Sequence, residues 1–206
     1  MSDEKIYRLI KLIVILIGML PRRVLKFFSD VLGLIWYKID KRHRNVVIEN
    51  VSFAYPEKYS SIQKQRFVTN VFKNVASILF EVIWSYRKPE GELFKYFEVK
   101  GIKYLENAEK KGRGTILLTC HLSNFEFFVP SLAKAGKTVY GIYRKFEFKP
   151  LERLVKEMRE RYGVTMLPTG GLPKKIDKIL NNNGVILTLF DQNAGTYNGV
   201  FTDFFG

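Results

Sequence analysis

The sequence is poor in cysteine and histidine. Its one cysteine, Cys120, excludes a disulfide within the chain and is typical of a protein from a reducing compartment. Together with the two histidines, His43 and His121, it offers few ligands for a zinc site of the usual nitrogen and sulfur type. We therefore expect no metal site and no other cofactor.

Acidic residues are scarce relative to basic ones. The chain has 20 Asp and Glu against 34 Lys and Arg, which gives a formal net charge of +14. Such an excess favours a polyanionic partner: nucleic acid, an anionic lipid surface or a phosphorylated substrate. No nucleic-acid-binding motif is visible and most aromatic residues lie within apolar runs, so we expect no nucleic acid partner.

Apolar residues are plentiful. Hydrophobic residues make up 47% of the 206 residues and aromatic residues 15%, which excludes a wholly disordered chain. At about 100–200 residues per domain, the length indicates one domain, or one domain with a small appendage.

The N-terminal segment Ile6–Leu20 is apolar apart from Arg8 and Lys11. Its uncharged part, Leu12–Leu20, is only nine residues long, whereas a bilayer crossing needs about 20. The segment runs into Pro21–Arg23, which is not the small-residue site that follows a signal peptide. We therefore expect it to be retained in the protein.

A second apolar segment, Val24–Tyr37, carries aromatic residues and a basic flank. This pattern favours a helix lying in the headgroup region of an anionic membrane. Two core helices of a soluble protein, or a single tilted span, remain alternatives. We predict membrane-anchoring hydrophobic and amphipathic helices in residues 1–38 and an α/β domain in residues 39–206.

From residue 97 onward, short apolar runs alternate with helical patterns. Unbroken apolar runs of this length are typical of strands buried on both faces of a parallel sheet. The alternation predicts an α/β fold with a mostly parallel sheet flanked by helices. The predicted strands are Thr115–Cys120, Val139–Tyr143, Val164–Leu167 and Val185–Phe190; the predicted helices are 60–86, 125–135, 149–162 and 173–182, the last two ending at Gly163 and Gly184.

His121 and Glu126 form the candidate catalytic pair. His121 directly follows a predicted strand, and ligands of open α/β sheets collect at the carboxyl ends of strands. A carboxylate that holds one imidazole nitrogen leaves the other free to deprotonate a hydroxyl of the substrate. Two other interpretations stay open: Ser123 and Glu126 also match a helix capping box, and a lone histidine can be purely structural.

The segment Ile116–Glu126 resembles the first motif of the His-x4-Asp/Glu acyltransferases. Later segments are similar to those of one branch, the bacterial lipid A late acyltransferases of the lauroyl and myristoyl type. These segments are Tyr143-Arg144, Leu154–Gly163, Phe190–Gly195 and Gly199–Gly206, together with Asn45–Glu57 and the hydrophobic N-terminus. The resemblance covers essentially the whole chain.

The resemblance implies a glycerolipid-acyltransferase-like fold and a specific reaction. A fatty acyl chain would pass from an acyl carrier protein thioester to a hydroxyl of a phosphorylated lipid A precursor, at the cytoplasmic face of the inner membrane. It also implies roles for five residues. His121 would be the general base with Glu126 as its orienter, and Arg144, Arg159 and Asp191 would bind substrate in or near the site.

The sequence also departs from the family pattern. Asn193 stands where an acidic residue is usual, and the portion that follows the Phe-Phe-Gly motif in the family has no counterpart, so we expect a chain truncated at its C-terminus. We expect Arg161 to be a solvated helix charge. A glycerolipid or lysophospholipid acyltransferase, and a non-catalytic basic membrane-binding protein, remain the alternative functions.

Overall fold

A computed structural model of the chain describes residues 2–192 and 202–203. The interpretations that concern Asn193 and the Gly199–Gly206 motif lie outside the described residues. The described chain divides into two units. The first contains the residues up to Leu16 and Ser85–Gln192, and the second contains Ile17–Trp84. The division at residue 38 separates a membrane-anchoring segment from the α/β domain by function, and it stays a prediction.

A four-stranded parallel sheet forms the centre of the first unit and confirms the predicted fold class. The strands are β1 (Thr115–Thr119), β2 (Tyr140–Tyr143), β3 (Thr165–Pro168) and β4 (Val185–Leu189). Their order in the sheet is β1-β4-β2-β3, so the last strand inserts between the first two. Each strand lies within one or two residues of its predicted bounds.

Helices flank the sheet and precede it. They are α1 (Asp3–Gly18), α2 (Arg22–Ile39), α3 (Lys41–Ala54), α4 (Ser61–Tyr86), α5 (Glu90–Leu93), α6 (Ile102–Glu109), α7 (Phe128–Lys134), α8 (Lys149–Glu160) and α9 (Leu172–Asn181), with short 3-10 helices at Phe94–Tyr96 and Phe125–Phe127. The sequence analysis did not identify α3, α5 and α6, since their apolar residues are few and interrupted.

A cluster of buried residues covers one face of the sheet. Val185 and Leu187 of β4 and Met166 of β3 pack there against Leu105 of α6 and Leu132 of α7. All five are less than a tenth exposed. This packing holds α6 and α7 against the sheet.

Glycines end α8 and α9 in two different ways. Gly163 adopts a left-handed conformation with φ +76°, as predicted for a helix cap. The second prediction is wrong in detail, because Asn183 takes the left-handed conformation (φ 57°) one residue before Gly184. Gly184 is required for space instead, since a Cβ there would lie 2.5 Å from the Ile179 side chain.

In the second unit, α2 and α4 approach each other closely. A Cβ at Gly33 of α2 would lie 2.5 Å from the Cα of Lys73, so only glycine permits this distance. Trp36 packs edge-on against Phe72 with ring centroids 5.4 Å apart. Of the described helices, α4 alone is long and apolar enough to cross a membrane, a property that core helices of soluble proteins share.

Within the first unit, hydrogen bonds connect α1 to α8. Glu157 of α8 accepts hydrogen bonds from Tyr7, from Lys11 (2.6 Å) and from Tyr86 at the end of α4 (2.6 Å). Arg161 donates to the carbonyl oxygens of Tyr86 and Lys88 and so satisfies acceptors at the end of α4. The expectation that Arg161 is a solvated charge is therefore wrong, because its guanidinium bonds two backbone carbonyl oxygens.

Two glycines that precede β1 give a matched test of packing. Both have positive φ, but a Cβ at Gly114 would lie 2.5 Å from the Cα of Leu180, whereas a Cβ at Gly112 would meet nothing within 4 Å. Gly112→Ala should cost roughly 1–2 kcal/mol from backbone strain, and Gly114→Ala about 1–3 kcal/mol more. Urea unfolding of both variants measures the difference, and equal losses would contradict the packing.

The Glu157 contacts predict a pH dependence of stability. Burial raises the pKa of this carboxyl, but the hydrogen bonds from Lys11, Tyr7 and Tyr86 outweigh it and lower the pKa from 4.5 to about 2. A group with a lowered folded-state pKa stabilises the fold above its unfolded pKa, and this contribution disappears as the pH falls.

The stabilisation from Glu157 should therefore be lost between about pH 4.5 and pH 2. The free energy of unfolding of Glu157→Gln should fall less over this range than that of the unmodified chain. Urea titrations at several pH values measure this. Identical slopes for the two proteins would show that the contacts do not stabilise the ionised carboxyl.

Candidate active site

The register of the sheet brings His121 and Asp191 together. β1 and β4 are neighbours, with Thr119 opposite Leu189, so the second residue after each strand reaches the same place. The Nδ1 atom of His121 lies 2.8 Å from Oδ1 of Asp191. The backbone N–H of His121 donates to Oδ2 of the same carboxylate at 2.8 Å. His121 and Asp191 therefore lie together at the carboxyl ends of β1 and β4.

These contacts define one protonation arrangement of the His121 ring. When Nδ1–H donates to Asp191, the neutral ring carries its lone pair on Nε2. The side-chain nitrogen of Gln192 lies 3.3 Å from Nε2 and can donate to that lone pair. The ring also packs edge-on against Phe125, with centroids 4.7 Å apart. Asp191, Gln192 and Phe125 thus fix the direction of the basic nitrogen.

Asp191 is suited to hold this ring as an anion. Burial raises the pKa of its carboxyl, but the hydrogen bonds from the His121 side chain and backbone outweigh burial and bring the pKa below the ordinary value. The ionised carboxylate then stabilises an imidazolium if the ring takes up a proton. The His121 and Asp191 side chains are 32% and 34% exposed, so a substrate can reach the ring.

Glu126 does not hold the His121 ring, and the expectation that it does is wrong. Its carboxylate forms two bonds with Arg159 of α8: Nε to Oε2 at 3.0 Å and Nη2 to Oε1 at 2.5 Å. The reason is local. Residues 125–127 form a 3-10 helix and α7 begins only at Phe128, so Glu126 is directed toward α8 instead of the strand end.

The capping-box interpretation of Ser123 and Glu126 is also wrong. Asn124, not Ser123, precedes the 3-10 helix, and no side chain caps it. Ser123 instead adopts a left-handed conformation with φ 53°, which few non-glycine residues do. This residue turns the chain from the end of β1 toward α7.

A cleft of about 400 Å³ opens beside His121. Four of the five predicted residues line it: His121, Glu126, Arg144 and Arg159. Asp191 is the fifth, and it contacts the Nδ1 atom of the His121 ring. The rest of the lining is mostly apolar and includes Phe125, Phe128, Val129, Ile142, Val164, Met166, Leu187 and Leu189. The cleft therefore combines a basic nitrogen, two guanidinium groups and a long apolar wall.

Glu152 of α8, which was not among the predicted site residues, supports the loop that carries Arg144. The Tyr143 hydroxyl donates to Oε1 of Glu152 at 2.6 Å, and the backbone N–H of Phe146 donates to Oε2 at 2.9 Å. Burial and the hydrogen bond to Glu152 raise the pKa of Tyr143 to about 12, so its phenol stays neutral. Glu152 precedes Arg159 by two helical turns, a spacing that places both on one face of α8.

The described residues contain no group of three or more His, Cys, Asp or Glu side chains that could hold a metal ion. What the cleft can do follows from its polar groups. A base held by a carboxylate can deprotonate a hydroxyl, and a nearby guanidinium can stabilise the negative charge that develops on an attacked carbonyl. Both groups are compatible with acyl transfer.

Comparisons with known proteins point to the same class. The model of the bacterial lipid A biosynthesis acyltransferase family matches residues 4–206. The lipid A biosynthesis palmitoleoyltransferase of Escherichia coli (strain K12) is 22% identical over 193 residues, which are 90% of this chain and 60% of that protein. The lauroyltransferase of the same strain is 24% identical over 190 residues, 92% of this chain and 61% of the relative.

A lipid A biosynthesis acyltransferase of Haemophilus influenzae is 22% identical, with 93% of this chain and 60% of the relative covered. The chain therefore spans about 60% of the length of these curated relatives. Because the family match extends over nearly all of its residues, the chain belongs to the bacterial lipid A biosynthesis acyltransferase family.

The ring geometry predicts the outcome of a tautomer measurement. In the unmodified protein, His121 should carry its proton on Nδ1 when neutral, because Asp191 accepts from that atom. Asp191→Asn should shift the ring toward the other tautomer, since an amide holds Nδ1–H less strongly. Glu126→Gln should leave the tautomer unchanged. Long-range nitrogen–proton NMR distinguishes the two forms, and an effect of Glu126→Gln equal to that of Asp191→Asn would contradict the assignment.

Proposed function

We propose that this chain carries the catalytic site of a lipid A acyltransferase. It would transfer a fatty acyl chain from an acyl carrier protein thioester to a hydroxyl of a phosphorylated lipid A precursor. The observation that carries the proposal is the His121–Asp191 pair at the mouth of an apolar cleft. The family match and the names of the relatives select lipid A biosynthesis over glycerolipid synthesis.

In the proposed reaction, Nε2 of His121 removes the proton of the acceptor hydroxyl. The acceptor would replace the Gln192 amide, which lies 3.3 Å from this nitrogen. Asp191 stabilises the imidazolium that results, because its carboxylate is 2.8 Å from Nδ1. No nucleophilic side chain is required, since the hydroxyl oxygen itself attacks the thioester carbonyl.

Attack produces a tetrahedral intermediate with a negatively charged oxygen. Arg159 would stabilise this oxygen, since its guanidinium lines the cleft and keeps its charge at all relevant pH values. The carbon–sulfur bond then breaks, the carrier thiolate leaves, and the proton on His121 neutralises it. Glu126 would serve as a positioning residue that holds Arg159 through two bonds.

The remaining features of the cleft suit the proposed substrates. The apolar residues that line the cleft, among them Phe125 and Met166, can accommodate a hydrocarbon chain. Arg144 is exposed and can contact a phosphate of the acceptor. A formal net charge of +14 favours an acidic carrier protein and an anionic membrane surface.

We also propose that the N-terminal helices bind the cytoplasmic face of the inner membrane. The apolar side chains of α1 point outward, with Leu9, Leu12 and Leu16 about half exposed. Several apolar residues of α2 are exposed as well, among them Phe27 and Ile35. Such surfaces mark membrane contact sites more often than solvated faces.

The test is acyl transfer to a lipid A precursor by membranes that contain the complete gene product, read by mass spectrometry. His121→Ala should lower transfer by about 10²–10⁴-fold, because the general base is lost. His43→Ala is a matched control, since His43 also bonds an aspartate, Asp40, at 2.7 Å but lies in the second unit, outside the cleft. It should leave transfer unchanged.

Two outcomes would contradict the proposed function. Full transfer by His121→Ala would exclude the base, and binding to anionic liposomes without any transfer by the unmodified protein would favour a non-catalytic membrane-binding role. Transfer only to glycerol phosphate or lysophospholipid acceptors would keep the chemistry and exclude the lipid A substrate.

A further inference from the structure

Helix α8 is held from two sides. On one side, Glu157 accepts hydrogen bonds from Tyr7 and Lys11 of α1 and from Tyr86 of α4. On the other, Arg159 engages Glu126 beside the cleft. At about 100° per residue, these two positions of α8 are separated by roughly 200°, so they lie on nearly opposite faces of the helix.

Further charged and aromatic side chains contribute to the contact between α1 and α8. Arg153, one turn before Glu157, bonds Glu4 at 2.6 Å and lies 3.8 Å from the centre of the Tyr7 ring. Lys11 also donates to the Tyr7 hydroxyl at 3.1 Å. A continuous polar contact between the two helices is therefore formed by five side chains: Glu4, Tyr7, Lys11, Arg153 and Glu157.

Helix α1 combines a buried polar contact with exposed leucine side chains. Its Tyr7 side is buried, with only 6% of that residue exposed, whereas Leu9, Leu12 and Leu16 point outward. The residues up to Leu16 also belong to the same compact unit as the sheet and α8. Helix α1 is therefore an integral part of the unit that contains the cleft.

We propose that Glu157 is a positioning residue that fixes α8, and with it Arg159, against α1 and the end of α4. The inference rests on the proposed function, because it assigns Arg159 a role in acyl transfer. A helix held on only one side can shift by a fraction of an ångström, and such shifts of a group that acts on the transition state lower the rate. The outward apolar side of α1 is left free for the membrane.

The experiment is a double-mutant cycle of Glu157→Gln and Arg159→Lys in the complete gene product, with acyl transfer measured well below the unfolding temperature. Glu157→Gln alone should lower kcat/KM about tenfold, because a displaced guanidinium stabilises the transition state less well. Once Arg159 is replaced, Glu157→Gln should cause little further loss, since the two residues act through one interaction.

Two further variants separate positioning from anchoring and folding. Lys11→Met removes a donor to Glu157 but makes α1 more apolar, so membrane association should persist while kcat/KM falls. If Glu157→Gln does not fold, the kcat/KM of Lys11→Met tests the proposal instead. Glu98→Gln is the carboxylate-to-amide control, because Glu98 is 78% exposed and pairs only with Lys100 among the described residues. It should leave transfer unchanged.

The outcomes are distinct. Effects of Glu157→Gln and Arg159→Lys that multiply would show that Glu157 acts independently of Arg159 and would overturn the proposal. Unchanged kcat/KM in both Glu157→Gln and Lys11→Met would also overturn it. Failure of the proposed function gives a different result, namely that His121→Ala and Arg159→Lys retain full transfer.

Discussion

The candidate site depends on one contact, the bond between the His121 ring and the Asp191 carboxylate. It joins residues 70 positions apart in the sequence, and it exists because β1 and β4 are neighbours in matching register. Insertion of β4 between β1 and β2 is therefore the topological feature that completes the site. A histidine at the end of β1 without this neighbour would have a free ring with no fixed proton position.

A histidine–aspartate bond occurs a second time among the described residues, in different surroundings. His43 bonds Asp40 at 2.7 Å, but Asp40 also accepts from the His43 backbone and caps the start of α3. That pair belongs to the second unit and is not among the residues that line the cleft beside His121. The difference at His121 is the surroundings: a cleft, a guanidinium held by Glu126, and a basic nitrogen directed into the open space.

The apolar pattern of the buried strands was sufficient for the fold class and the four strands, and the family resemblance supplied four residues that line the cleft: His121, Glu126, Arg144 and Arg159. The sequence was not sufficient for pairing the side chains. The spacing between His121 and Glu126 pointed to a local pair, whereas strand order decided in favour of Asp191, and strand order has no local signal. The same holds for Arg161 and Glu157, whose partners are on α1 and α4 and are distant in sequence.

The central claim is that Nε2 of His121, held from behind by Asp191, receives the proton of the acceptor hydroxyl. The most direct measurement is an experimental structure of the complete protein with a bound acceptor lipid. The account predicts the acceptor oxygen at about 2.6–3.2 Å from Nε2, with the Gln192 amide displaced and Asp191 still on Nδ1. An acceptor hydroxyl bound away from His121, or a ring held by Glu126 instead of Asp191, would contradict it.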